Sequence, residues 1–98
     1  MCYNEIMTHR KTDHNYQCGK LLRNLREKLT DLPRSRKGFI EDREKTIFGG
    51  ENWISEKTLI NYETGKNIPT LSNIKKLALA LEVDVLDLIQ SILDVLDD

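Results

Sequence analysis

The sequence predicts an all-α fold of five helices, on three observations. Apolar residues recur at helical spacing from Gly19 to the end of the chain. Small oxygen-bearing residues (Ser35, Ser55, Thr70 and Asp84) stand immediately before four of the periodic segments. Helix breakers at Pro33, Gly49-Gly50, Gly65 and Pro69 divide those segments from one another.

The first helix starts at Gly19, where Leu21, Leu22, Leu25 and Leu29 alternate with Lys20, Arg23, Asn24 and Glu27. It ends near Thr30-Asp31, because Pro33 biases Leu32 away from helical backbone. Ser35 caps a second helix reaching about Lys45, with Phe39, Ile40 and the stem of Arg43 turned inward. Gly38 weakens its first turn by roughly 1 kcal/mol relative to alanine. Phe48-Gly49-Gly50-Glu51-Asn52 is a loop, since paired glycines rarely sit inside a helix. Core packing is the first reading of the neighbouring Trp53; a ring facing a binding partner is the second.

The third helix carries four agreeing signals. Ser55 caps it, Ile54 and Leu59 occupy the two positions of a hydrophobic staple, Glu56 suits its positive start, and Gly65 stops it. Thr70 then caps a fourth helix with Leu71, Ile74, Leu77, Ala78 and Leu81 as its apolar stripe, and Asp84 caps a fifth. Residues 1–18 are polar and aperiodic, which predicts a mobile arm ahead of one domain over 19–98.

Composition bounds the function. Ninety-eight residues make one domain, 39% hydrophobic and 32% charged, too apolar for disorder. No run approaches the roughly 18 apolar residues of a membrane helix. The first residues lack a secretory layout, so a cytoplasmic protein is expected. Net charge is −1, yet it is unevenly placed: residues 1–68 hold 13 basic against 10 acidic residues, and residues 69–98 hold 2 against 6. That distribution suits a phosphate-facing surface and a separate partner surface as well as it suits a merely solvated one. No Gly-rich phosphate loop, paired-cysteine motif or nucleophile–base arrangement suggests an enzyme. Cys2, His9, His14 and Cys18 match no common zinc spacing, so free thiols and no metal or other cofactor are expected.

Three blocks of residues bring a family into view. Residues 54–70 end in Glu63-Thr64-Gly65-Lys66-Asn67-Ile68-Pro69-Thr70; Leu77-Ala78-Leu79-Ala80-Leu81-Glu82-Val83 follows them, and Leu22-Arg23-Asn24-Leu25-Arg26-Glu27 precedes them. In this order, over about residues 19–89, they resemble the Cro/CI (XRE-like) helix-turn-helix regulators of bacteria and phages. The resemblance implies a five-helix, lambda-repressor-like DNA-binding domain. It also implies a buried ion pair between Arg26 and Glu63. Two departures stand out. Arg26 to Ser35 spans about three residues more than usual and Ser35 to Ser55 about nine more, so the region of helix two and its loop is enlarged. Where members carry a small residue, Ile40 stands, and where they place a glutamine, Arg36 stands.

By spacing, Ile54, Leu59 and Tyr62 of the third helix face inward, leaving Glu56, Lys57, Ile60, Asn61 and Thr64 outward, with Thr58 beside them. Such a helix fits a major groove about 12 Å wide. There Asn61 could pair with adenine, Lys57 could meet guanine or phosphate, Glu56 could accept from cytosine, and Ile60 could touch a thymine methyl. The resemblance places Arg36 at a phosphate or at the edge of the site, and Arg34, Lys37, Lys66 and Asn67 are further candidates for phosphate.

The fifth helix, about 84–97, is apolar around more of its circumference than a small core requires. Leu86, Ile89, Ile92, Leu93 and Leu96 are therefore expected at a homodimer interface. A helix-turn-helix module that binds another protein through this helix, such as the antitoxin of a toxin–antitoxin pair, is the alternative.

Overall fold

The computed structural model describes residues 3–96, and side chains from residue 15 onward. Its elements, in order, are α1 (Tyr3–Glu27), α2 (Arg36–Thr46), α3 (Glu56–Glu63), α4 (Leu71–Leu81) and α5 (Val85–Leu96), with no strand among the described residues. Four helices begin at a side-chain cap. Ser35 accepts from the Gly38 amide at 3.0 Å, Ser55 from Thr58 at 3.0 Å and Thr70 from Asn73 at 3.2 Å. Asp84 accepts from both Leu86 and Asp87, at 2.8 and 3.1 Å. Each such cap is worth about 1 kcal/mol. Together they fix where the chain turns, and so where each apolar stripe points.

Those stripes meet in one core. Cys18 and Leu22 of α1, Phe39 and Ile40 of α2, and Leu59 and Tyr62 of α3 pack with Ile74, Leu77, Ala78, Ala80 and Leu81 of α4 and Leu88 and Ile92 of α5. The 47–55 connection adds Trp53. Its ring stacks on Phe48 (centroids 4.9 Å apart) and meets Phe39 edge-on at 6.2 Å, while its Nε1–H donates to the Ile40 carbonyl at 3.1 Å. The enlarged loop is thereby anchored by its own aromatic residues. Ile40, 7% exposed, is taken into the core.

The first helix is longer than its periodicity predicts. Its apolar stripe starts near Cys18, but the helix begins at Tyr3 and ends at Glu27, so the boundary placed at residue 18 falls within one element. A sequence without an apolar stripe gives periodicity nothing to detect. Yet once residues 15–27 are packed, further turns need only propagation, which is far easier than nucleation. Cys2 and the side chains of His9 and His14 lie outside the described residues, as do Asp97 and Asp98.

A charged tie links α2 to the end of α4. Arg43, 6% exposed, donates to Glu82 at 2.9 Å, to Asp42 at 2.8 Å and to the Ala80 carbonyl at 3.4 Å. Glu82 closes α4 with φ +60°, a left-handed conformation that costs a non-glycine residue roughly 1–2 kcal/mol. Its bond to Arg43 offsets part of that cost.

Candidate nucleic-acid interface

The short helix α3 is fixed at both ends. At its start the Ser55 hydroxyl accepts from the Thr58 amide and donates to Thr58 Oγ1 at 2.8 Å. At its finish Gly65, with φ +82°, lets the chain reverse: the Gly65 amide donates to the Tyr62 carbonyl at 3.2 Å and the Lys66 amide to the Asn61 carbonyl at 2.9 Å. This is the two-bond Schellman closure, which requires a left-handed residue at that position. Its underside is held by Leu59 and Tyr62, and the Tyr62 hydroxyl accepts from Asn73 of α4 at 2.7 Å.

What remains outward is a polar ridge. Glu56 and Lys57 are exposed; Ile60 and Asn61 are half-buried with no core partner of their own. The two threonines differ from these. Thr58 is engaged with the Ser55 cap, and Thr64 turns its hydroxyl back to donate to the Ile60 carbonyl at 2.7 Å. The Ser55 and Thr64 hydroxyl protons are therefore committed locally, while the Thr58 hydroxyl, an acceptor here, keeps its own proton. Polar groups left open along the ridge are those of Glu56, Lys57 and Asn61, with the Thr58 proton and the acceptor side of the Thr64 hydroxyl beside them.

Behind the ridge, Glu63 is the final residue of α3 and its carboxylate is fully enclosed. A lone buried carboxylate at the negative end of a helix would be strongly unfavourable. Three guanidinium N–H groups answer it. Arg26 of α1 donates from Nε at 2.7 Å and from Nη2 at 2.9 Å, and Arg36 of α2 donates from Nε at 2.8 Å. Arg26 also donates from Nη1 to the Arg34 carbonyl at 2.7 Å, stitching down the linker before α2. The start of α2 is thus brought beside the end of α3. Arg34 and Lys37, both exposed, gather there with Lys66 and Asn67, exposed just beyond Gly65.

The backbone of α1 lies directly against this corner. A Cβ on Gly19 would sit 2.5 Å from the Glu63 carbonyl oxygen and 2.6 Å from that of Tyr62; one on Gly65 would sit 2.8 Å from the Tyr16 backbone. Reading the sequence missed this contact, although a signal existed: Gly19 stands seven residues before Arg26, two turns along the same face. It also missed the second partner of Glu63. Placed by the family resemblance as a phosphate candidate, Arg36 is held by a carboxylate of its own protein.

The fifth helix divides its apolar residues between two faces. Leu88 and Ile92 lie in the core, at 2% and 3% exposure, whereas Leu86 and Leu93 are 71% and 52% exposed. Ile89 and Leu96 are half-buried. Ile92 is therefore removed from the candidate dimer surface: α5 turns the Leu88–Ile92 ridge toward α1 and α4, one turn apart on the same side. No helix among the described residues is long and apolar enough to cross a membrane.

Residues 50–88, which run from the glycine loop through α3 and α4 into α5, match the family described as Helix-turn-helix. No curated protein and no solved structure matches the chain.

Proposed function

We propose that the chain, which matches the Helix-turn-helix family over residues 50–88 and resembles the Cro/CI (XRE-like) regulators, reads specific duplex sites by laying α3 in the major groove. The observation that carries this reading is the division of α3 into a locked underside and a free ridge. Leu59, Tyr62 and Glu63 are buried, while Glu56, Lys57, Ile60 and Asn61 keep side-chain surface for base edges. Lys37, Lys66 and Asn67, with Arg34 and Arg36, supply the phosphate contacts that set register. Occupancy of an operator represses transcription, which is the action a bare binding surface performs.

The active species in this proposal is a cytoplasmic homodimer. Leu86 and Leu93 form the exposed apolar strip of α5, and C₂ pairing along it would set two α3 helices about one DNA turn, roughly 34 Å, apart. The same strip, on a helix whose charged residues Asp87 and Asp94 are both acidic, favours a second reading in which α5 binds another protein.

Selection from random duplex DNA, run with wild type and Asn61→Ala in parallel, tests the function. A two-fold-related site enriched by wild type, with preference relaxed at one position per half-site for Asn61→Ala, is the expected result. Absence of any enriched sequence, together with binding indifferent to salt, would overturn it.

A further inference from the structure

Glu63 accepts from two arginines, and the charges of that cluster do not balance. Arg26 and Arg36 bring two positive charges to one carboxylate, leaving +1 at a site where Glu63 is fully enclosed and Arg26 is 6% exposed. The two guanidiniums are not equivalent. Arg26 spends all three of its nitrogens, on Glu63 and on the Arg34 carbonyl. Arg36 spends only Nε, at 2.8 Å, and keeps 28% of its side chain exposed; its two Nη groups have no hydrogen-bond partner among the described residues. The surplus charge thus resides on a guanidinium held at one edge and open at the other.

We infer that Arg36 donates through its free Nη groups to a DNA phosphate, and that Glu63 is the positioning residue that aims it. The inference rests on the DNA-binding reading above and deepens it. An arginine can do this because its planar fork engages one oxygen partner along one edge and a second along another. A lysine at the same place has a single ammonium, which must divide itself between carboxylate and phosphate. The anion would also balance the cluster, at the first residue of α2, beside exposed Lys37 and Arg34. A fixed guanidinium loses less side-chain freedom on binding than a free one. Glu63 would then serve two purposes: it ties α1 to α3, and it orients a contact made by α2.

The test is a salt titration of binding to mixed-sequence duplex DNA by full-length wild type, Arg36→Ala, Arg36→Lys and Asn61→Ala. Folding is followed by the fluorescence of Trp53, the single tryptophan. Removing one phosphate contact lowers the log–log salt slope by about 0.9. Arg36→Ala is expected to show that drop, while Asn61→Ala keeps the wild-type slope. Arg36→Lys is expected to keep the slope but bind about tenfold more weakly at every salt concentration. An unchanged slope in folded Arg36→Ala, with wild type still steeply salt-dependent, would make Arg36 purely structural and overturn the inference. Arg36→Lys equal to wild type in both slope and affinity would overturn the aiming role of Glu63. A wild type without salt-dependent binding would instead sink the DNA-binding reading itself.

Discussion

Arg26 and Glu63, thirty-seven residues apart, form a bidentate pair at 2.7 and 2.9 Å with almost no solvent on either partner. It joins the first helix to the last residue of the third, so the orientation of α3 depends on it directly. Removing one member of a buried pair costs roughly 3–5 kcal/mol, largely because the other charge stays buried without compensation. Here Glu63→Gln would leave two guanidiniums facing a neutral amide. The expected outcome is a thermal midpoint lower by at least about 12 °C, taking roughly 4 °C per kcal/mol for a chain of this size. A midpoint within a few degrees of wild type would show that the carboxylate contributes little to the fold.

Gly19→Ala pits helix propensity against packing. Alanine is favoured over glycine inside a helix by about 1 kcal/mol. The added methyl, however, would lie 2.5 Å from the Glu63 carbonyl oxygen, and the obstruction is backbone rather than a movable side chain. Overpacking of this kind costs about 1–3 kcal/mol, so the clash prevails and the variant is destabilised. Gly49→Ala is the control: its φ is +66° but nothing lies within 4 Å of the new methyl, so only about 1 kcal/mol of backbone strain is expected. Chemical denaturation of the two variants should rank Gly19→Ala as no less harmful. A stabilised Gly19→Ala would mean that α1 can lift from α3 without cost.

Local chemistry made much of this architecture legible. Ser35, Ser55, Thr70, Asp84 and Gly65 act on their own amides and carbonyls within three residues, so their roles can be read from the chain. The outward ridge of α3 follows from the same spacing that buries Leu59 and Tyr62. What could not be read depends on contacts between distant residues. Arg36 looked like a free cation because nothing near it in sequence is acidic; its partner is twenty-seven residues away. The turns of α1 before residue 15 carry no apolar stripe, so they left no periodic trace. On α5 almost every position is apolar, and only the packing partner could decide that Ile92 belongs inside and Leu86 outside.

That division on α5 yields a paired prediction. Leu86→Glu with Leu93→Glu changes only surface that is already exposed, so the thermal midpoint should stay within a few degrees of wild type. Sedimentation should show a dimer for wild type and a monomer for the double variant, and specific DNA binding should weaken by at least tenfold, since one half-site contact no longer assists the other. Ile92→Asp should behave differently. Burying a carboxylate at a core position 3% exposed leaves it unpaired and should cost more than about 3 kcal/mol. If the double glutamate variant still sediments as a dimer, α5 is not the dimer contact.

Cys18 offers a prediction whose sign follows from burial alone. Its thiol is fully enclosed and free, and desolvation raises its pKa from 9.0 to about 11. Below about pH 9 the thiol is protonated in both folded and unfolded chains, so its full contribution to stability is present. Between pH 9 and 11 the unfolded chain releases the proton while the folded chain holds it, so stability falls as pH rises. A separation of two units corresponds to roughly 3 kcal/mol over that window. The informative quantity is the difference between wild type and Cys18→Ala, which isolates the thiol. Denaturation free energies measured from pH 8 to 11 should fall more steeply for wild type, whatever constant offset the lost side chain introduces. Parallel curves would mean that Cys18 deprotonates in the folded protein as readily as in the unfolded one, and that the junction of α1 with the core admits water.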